Sequence, residues 1–419
     1  MRVLVIGGGG REHAIIWKLR KDDPALEIFC APGNAGIGKI ARNVPIEAAD
    51  VKNLARFAAE NGVDLTVVGP EAALAAGVAD EFAAKGLEIF GPTKAAARLE
   101  SSKDFAKRFM RKYCVPTAGF ETFDRARDAL SYIREQKFPL VVKADGLAAG
   151  KGVAVCQSEA EAAGVLREVM EGRKFGDSGE KVVIEEFLEG KEATYMVFSD
   201  GETFLPMAGA HDYKRVFDGD QGGNTGGMGS VSPSPRFTAE IEKTCLERIV
   251  RPTFDGLRRE DILYAGVLYF ELMLTPDGPK VIEYNCRFGD PETEAVIPRL
   301  KTGLLPVFTA CARKRLGGIG LEWSDEASVC VMLASGGYPG EYKKGLEISG
   351  LGADFGEKTQ VFHAGTAEKD GKTVTDGGRV LCVTALGKDA REARERAYEA
   401  ARRIGFDGAH YRRDIGSEE

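Results

Sequence analysis

Residues Val281 to Glu292, VIEYNCRFGDPE, combine strand spacing with charged groups on the face that a strand normally buries. Successive side chains of a strand alternate between faces, so Glu283, Asn285 and Arg287 share one side. Upstream, Leu263 to Leu274, LYAGVLYFELML, is a second apolar run of strand type, and Thr275-Pro276-Asp277-Gly278-Pro279 between the two is a turn signal. A hairpin symmetric about Asp277 sets Glu271 directly across from Glu283, with Asn285 at the next position on that face. Unit charges about 4 Å apart repel by roughly 4 kcal/mol at an effective dielectric of about 20. Facing carboxylates therefore need a proton or a cation between them. Two carboxylates and an amide are hard oxygen donors that suit Mg2+ or Mn2+ better than zinc, which makes Glu271, Glu283 and Asn285 the candidate metal ligands. The alternative is a solvated hairpin face, but LYFELML carries too few polar residues for an exposed strand.

A chain of 419 residues exceeds one hydrophobic core, so roughly two to four domains are expected, and 43% hydrophobic content is enough to fill them. The net charge of −7 comes without any Lys/Arg block, which argues against a nucleic-acid partner. The eight cysteines form no C-x-x-C pair and have no histidine at zinc-finger spacing, so they read as reduced intracellular thiols. The apolar start MRVLVIGGGG is too short for a signal peptide, and no later run reaches the roughly 20 apolar residues of a membrane span. A cytoplasmic, membrane-free protein is expected, acting as a monomer.

In chain order, Arg2 to Ile6 reads as a strand, Gly7 to Gly10 as a glycine turn and Arg11 to Leu19 as a helix. A glycine loop at a helix N-terminus invites a phosphate. Dinucleotide binding fails on detail: the third glycine position falls on Glu12 or His13, and the next strand, Leu26 to Phe29, ends without the acidic residue that holds a ribose. Further strands at 65–68 and 88–90, with helices at 52–61 and 72–85, imply a parallel sheet ending near residue 100. Ser101 to Lys112 reads as a charged helix in which Lys103, taken alone, is a solvated side chain. Phe138 to Lys143 and Val153 to Cys156 are strands joined by ADGLAAGKG, residues 144–152. This is not a P-loop, because the glycine spacing is one residue short, Gly152 replaces the Ser/Thr, and a strand follows instead of a helix. It reads as a hairpin lid, bracketed by Lys143 and Lys151 and suited to closing over a polyphosphate. After a helix over 160–171, the strand Lys181 to Leu188 turns acidic at Glu185 and Glu186, where its backbone edge and Glu192 can meet an adenine and a ribose. The stretch 211–230, HDYKRVFDGDQGGNTGGMGS, is too glycine-rich to pack a core, but its interspersed charges favour a substrate loop over a linker. Residues 235–260 read as mostly helix.

Lys103, the 143–152 loop, EEFLEGKE at 185–192, and Glu271 with Glu283-x-Asn285-x-Arg287 resemble the ATP-grasp fold, in which two subdomains hold ATP between them. GGGGREHA at 7–14, HDYKR at 211–215, QGGNTGGMG at 221–229 and NCRFGDPE at 285–292 resemble the phosphoribosylamine–glycine ligase family within it, over essentially the whole chain. The resemblance implies a fold of mixed α/β and α+β type: an N-terminal doubly wound parallel-sheet domain over 1–101, an ATP-grasp domain of two subdomains over 102–316 with its lid at about 117–192, and a small C-terminal α+β domain over 317–419. It implies ATP as co-substrate, Mg2+ or Mn2+ as cofactor, and glycine and 5-phosphoribosylamine as substrates. ATP would meet Lys103, Lys143, Gly146, Lys151, Gly152, Glu185, Glu186, Phe187, Leu188 and Glu192. Arg287, Lys143 and Lys214 would be catalytic. The substrates would touch Gly8, Gly9, Gly10, Asp212, Lys214, Arg287, Asp290 and Glu292. Another ATP-grasp ligase with a different substrate pair, or a non-catalytic ATP sensor, remain the alternative readings.

Beyond a helix at 306–316, strands at 327–334, 360–364 and 380–385 and an amphipathic helix over 389–403 form the last domain. Tyr338, His363 and Asp376 in it suggest no chemistry, so a packing role that closes one wall of the cleft is expected.

Overall fold

The computed structural model describes residues 1–147 and 152–417. The first hundred residues form a five-stranded sheet in the order Arg42–Asn43, Glu27–Pro32, Arg2–Gly7, Leu65–Val68, Ile89–Phe90, every pair parallel. The central strand is apolar at each position from Val3 to Ile6 because both of its faces are covered. Val3 and Val5 pack with Ile15, Ile16 and Leu19 of helix Gly10–Asp22, and Leu4 and Ile6 with Leu54 and Phe82. This is the doubly wound arrangement expected of alternating strands and helices. The single helix expected over 72–85 is two, Glu71–Ala76 and Val78–Ala84, because Gly77 adopts φ 88° and ends the first. The helix expected over 101–112 is Lys103–Lys112, preceded by a separate Lys94–Ser101. Ser102 caps it, its Oγ accepting from the Phe105 N–H.

Two four-stranded antiparallel sheets follow. The lid sheet runs Phe120–Phe123, Val182–Glu186, Leu140–Ala144, Val153–Cys156. With helices Ala126–Ile133 and Glu159–Leu166 it encloses a core of its own around Ile133, Leu140, Leu166 and Ile184. The hairpin sheet runs Phe204–Pro206, Lys191–Asp200, Ala265–Thr275, Gly278–Asn285.

The third region gains members that the sequence reading placed elsewhere. Its antiparallel sheet runs His211–Asp212, Gly229–Ser232, Ala327–Ala334, Arg379–Gly387, Thr359–His363. Both ends of the expected substrate loop are thus strands of the C-terminal sheet, and within the loop Arg215–Phe217 pairs with Gln221–Asn224. Such short, glycine-rich strands have too few side chains to display a face, which hides them from periodicity. The first and third regions are stitched together: the His363 N–H donates to His13 Nδ1 at 2.7 Å and Asn34 Nδ2 donates to the His363 carbonyl at 2.8 Å. All eight cysteines are free thiols. Among the described residues, no helix is long and apolar enough to cross a membrane.

Candidate active site

The lid and hairpin sheets face each other across a cleft of about 510 Å³. What the hairpin presents to it depends on one irregularity. The turn closes with Thr275 paired to Gly278, so the symmetry point lies between Pro276 and Asp277 rather than on Asp277. In that register Glu271 would pair with Ile282, and Glu283 would face the other side of the sheet. A bulge inserts Ile282 as an extra residue and restores the pairs Glu271–Glu283 and Tyr269–Asn285. The facing carboxylates are present as expected, but a bulge and not a symmetric turn creates them. The Ile282 carbonyl also accepts from Lys143 Nζ at 3.4 Å, which draws a lid lysine toward the hairpin.

Cations answer the carboxylates from three directions. Lys214 Nζ is ion-paired with Glu271 and lies 3.8 Å from Glu192. Burial pushes the Glu271 carboxyl up to about 7 against the pull of Lys214, with Glu283 and Glu192 adding to the rise. Burial acts on Glu283 too, but Lys103, Lys143 and Lys214 outweigh it and hold that carboxylate below its ordinary range. One partner up and the other down is how two like charges share a buried site.

At the lid end, Glu185 is buried between Lys107 Nζ at 2.8 Å and Lys143 Nζ at 3.1 Å. Its Oε1 lies against Lys143 as an ion pair. Burial outweighs Glu185 at Lys107 and lowers it to about 8, whereas at Lys143 the surrounding glutamates outweigh burial and raise it. Gly152, Glu186, Phe187, Leu188 and Glu192 line the same end. Lys103 also lines the cleft, contrary to a solvated helix residue, and donates to the Gly146 carbonyl at 3.3 Å. Gly146 itself stands behind that contact rather than on the wall. Lys151 lies outside the described residues. Asp145 fastens the lid loop to the helix start, its carboxylate accepting from the Asp104 N–H at 2.7 Å and its carbonyl from the Lys103 N–H at 3.0 Å.

At the opposite end, Arg287 Nη2 donates to Asn285 Oδ1 at 2.8 Å and lies 3.1 Å from Glu100, with its Nε 3.4 Å from Glu71. Glu292 accepts from the Tyr269 hydroxyl at 2.7 Å and from Thr194 Oγ1 at 3.3 Å. Burial raises the Asp212 carboxyl well above its ordinary range, against Lys214 and with help from Glu292. Asp290 is held below its range, because Arg379 and Arg11 outweigh burial there. Gly8, Gly9 and Gly10 do not line the cleft. They pack one layer behind it, Gly8 on the Gly33 carbonyl, Gly9 beside Asp290 and Gly10 on the Glu294 carboxyl. The next residue, Arg11, does reach the wall, donating to the Phe288 carbonyl at 2.8 Å.

Among the cleft residues that escape the sequence reading are Arg11, Glu71, Glu100, Lys107, Tyr338 and Arg379. Lys107 sits one helical turn beyond Lys103, and Arg11 and Glu71 directly follow loops at strand ends, so signals existed for these. Nothing local marks Tyr338 or Arg379, which the third region brings in as it closes one wall of the cleft. A more open groove of about 1120 Å³, past Cys114 and Lys137, lacks the hairpin carboxylates.

Models of one family match the chain in three consecutive parts: the phosphoribosylglycinamide synthetase N domain over 1–100, ATP-grasp (A) domain over 101–293 and C domain over 328–418. The chain belongs to the phosphoribosylglycinamide synthetase family. It is 51% identical over 417 residues to a phosphoribosylamine–glycine ligase of Caldanaerobacter subterraneus subsp. tengcongensis, covering both chains in full. The crystal structure of phosphoribosylamine–glycine ligase from Thermotoga maritima matches with a TM-score of 0.86 at 37% identity, over 99% of this chain and 100% of that one. A biotin carboxylase domain from Hydrogenobacter thermophilus, in complex with MgADP and bicarbonate, matches at a TM-score of 0.74 and 16% identity over 98% of this chain and 91% of that one, which is a likeness of fold alone.

Phosphoribosylglycinamide synthetases are thereby placed among ATP-grasp enzymes, which use ATP with a divalent metal ion. The residues present fit one. No three His, Cys, Asp or Glu side chains gather as a closed metal cage among the described residues. Instead Glu271, Glu283 and Asn285 offer hard oxygen donors across the two strands of the hairpin. That set suits an ion which keeps water and takes its other ligands from a nucleotide's phosphates.

Proposed function

We propose that this chain joins the carboxyl group of glycine to the amine of 5-phosphoribosylamine at the expense of ATP, giving glycinamide ribonucleotide, ADP and phosphate in purine biosynthesis. The observation that carries the reading is the bulged hairpin, which sets Glu271, Glu283, Asn285 and Arg287 opposite the lysines of the lid in a chain that matches the ligase family from end to end.

A carboxylate is a poor electrophile, and moving a phosphoryl group onto it crowds negative charge, so the task is neutralisation and positioning. Lys103 and Lys143 meet the phosphates from the lid side and Lys214 from the hairpin side, the charges of Lys143 and Lys214 being held by carboxylates of the cleft. Glu271, Glu283 and Asn285 would hold Mg2+ or Mn2+, which would supply Lewis-acid charge neutralisation at the phosphates. Arg287, kept rigid by Asn285, Glu71 and Glu100, presents its guanidinium to the glycine carboxylate as that oxygen takes the phosphoryl group and ADP leaves. The amine then attacks the acyl carbon and phosphate departs. Glu292, held by Tyr269 and Thr194, and Asp212 offer acceptors for the glycine ammonium, while Asp290 belongs to the amine end. Glu185 and the edge 186–188 take the adenine and Glu192 the ribose. Eight free thiols suit a reducing compartment such as the cytoplasm.

ADP release by the purified protein with ATP and Mg2+ tests this directly, with glycine, with phosphoribosylamine generated in situ, and with both. Turnover only with both is expected; release driven by a different amino acid or amine would replace the substrate pair, and ATP binding without turnover would overturn the ligase.

A further inference from the structure

From the chain beyond residue 316, Tyr338 and Arg379 reach the cleft, and Arg379 is the more heavily engaged. It opens strand Arg379–Gly387. Its Nη1 donates to the Gly226 carbonyl at 2.6 Å, the Asp290 carbonyl at 2.8 Å and the Gly227 carbonyl at 3.3 Å. Its Nη2 lies 2.9 Å from Asp290 Oδ1. One planar group thus ties together the Gly226–Gly227 turn, the Asp290 backbone and the Asp290 carboxylate.

The turn is shaped to receive it. A Cβ at Gly226 would stand 3.0 Å from Arg379 Cζ, so any side chain there would displace the guanidinium. Gly227 adopts φ 109°, and a Cβ on it would overlap Pro291. Tyr338 completes the grip, its hydroxyl accepting from the Gly226 N–H at 3.0 Å. From the turn the contacts continue inward: the Gly227 N–H donates to Thr225 Oγ1 at 3.0 Å, and Thr225 Oγ1 donates to the Lys214 carbonyl at 2.8 Å. Lys214 carries the ammonium that meets Glu271.

We propose that Arg379 is the positioning residue for the phosphoribosylamine end of the cleft, holding the Asp290 carboxylate and the Gly226–Gly227 turn in the geometry that receives the amine substrate. The proposal rests on the ligase reading above. Its choice of substrate follows from the layout. The nucleotide occupies the lid end, and glycine must lie against Arg287 beside the transferring phosphoryl group. The remaining end, where Arg11, Asp290, Tyr338 and Arg379 meet, belongs to the second substrate. A lysine would keep the charge but lacks the planar fork that spans several acceptors at once.

The test is steady-state kinetics of the full chain with Arg379→Ala and Arg379→Lys, beside affinity for a non-hydrolysable ATP analogue and the thermal midpoint. A misplaced substrate end costs on the order of 10- to 100-fold. That factor is expected in the KM for phosphoribosylamine in both variants, while the glycine KM and the analogue affinity stay within about twofold of wild type. Added guanidinium is expected to restore part of the Arg379→Ala loss. Tyr338→Phe, which removes one hydroxyl without changing shape, is expected to shift the same KM in the same direction by a smaller factor, and it decides the matter if the arginine variants fail to fold. An unchanged phosphoribosylamine KM, an equal rise of all three constants, or full rescue by lysine would overturn the proposal with the ligase reading intact. A wild-type protein that does not turn over with both substrates would instead sink the ligase reading and this proposal with it.

Discussion

The two sheets that flank the cleft differ in what they are attached to. The hairpin sheet belongs to cores that run on into the first region: Phe270, Leu272, Val281 and Tyr284 pack in one cluster with Leu4, Leu54 and Phe82, and Met196, Val267 and Tyr269 pack in another with Val3, Val5 and Leu65. The lid sheet shares neither. Its apolar residues close on themselves, and the lid meets the rest through polar links such as Asp145 with Asp104 and Thr117 Oγ1 with the Val281 carbonyl at 2.6 Å. The hairpin's carboxylates and Arg287 therefore ride on a continuous, rigid body, and Lys143 rides on a small body able to move as a unit. On the proposed function, groups that must hold a fixed geometry stand on the first, and a group that would close over the nucleotide stands on the second.

The difference can be broken most severely at the facing carboxylates that the bulge sets up. Glu283→Ala removes one of them from the rigid body and leaves the lid lysines untouched. Turnover is expected to fall by about three orders of magnitude or more, with the circular dichroism of the fold retained; wild-type turnover in the variant would show that the facing pair does not set the site. Arg287→Ala removes a rigid guanidinium and leaves the nucleotide end alone. Its turnover is expected to drop by roughly 100- to 1000-fold, with ATP-analogue affinity nearly unchanged, and an equal loss in both would move Arg287 to the nucleotide.

Core truncations sharpen the same contrast. Leu268→Ala and Leu166→Ala each remove a fully buried leucine and are expected to cost about 2–5 kcal/mol. In the first, the loss should appear in global unfolding; in the second, it should appear as faster amide exchange confined to the lid. Lid and hairpin amides slowing and quickening together would show one cooperative body.

The smallest effect lies where the first and third regions meet. Burial, with His363 and Lys39 adding, lowers His13 to about 3, and burial with Lys39 lowers His363 to about 4. The fold favours the neutral rings, while an unfolded chain takes up protons near pH 6.5. Their contribution is therefore complete above pH 6.5 and is lost as pH falls through 6.5 toward those lowered values. By pH 5 the loss is about 2 kcal/mol per histidine. Denaturant unfolding at pH 7 and pH 5 checks this, and His13→Gln should flatten the difference; an equal slope in both proteins would remove the histidines as its cause.

Much of this was legible in the sequence for physical reasons. Buried parallel strands announce themselves by unbroken apolar runs, as at 65–68, where expected and observed bounds agree. The carboxylate hairpin declared itself by polar groups on an otherwise apolar face. The bulge did not, because one extra residue leaves no trace in composition, and the facing pair was reached with the wrong turn centre. Arg379 and Tyr338 were invisible because their significance lies in hydrogen-bond partners about 90 to 150 positions away, which no local pattern encodes. Lys107 was within reach, one turn from Lys103, but a lysine on a charged helix looks solvated until Glu185 is known to sit above it.

The strands His211–Asp212 and Gly229–Ser232 lie in the C-terminal sheet while the chain between and around them serves the cleft. The third region is therefore not a separable module. A truncation after residue 316 would strip Gly229–Ser232 of its Ala327–Ala334 neighbour and leave an open edge where a sheet should continue. Anyone exchanging this region with that of a relative would have to carry residues 211–232 along with it, so the inheritable unit is two discontinuous stretches of chain rather than one.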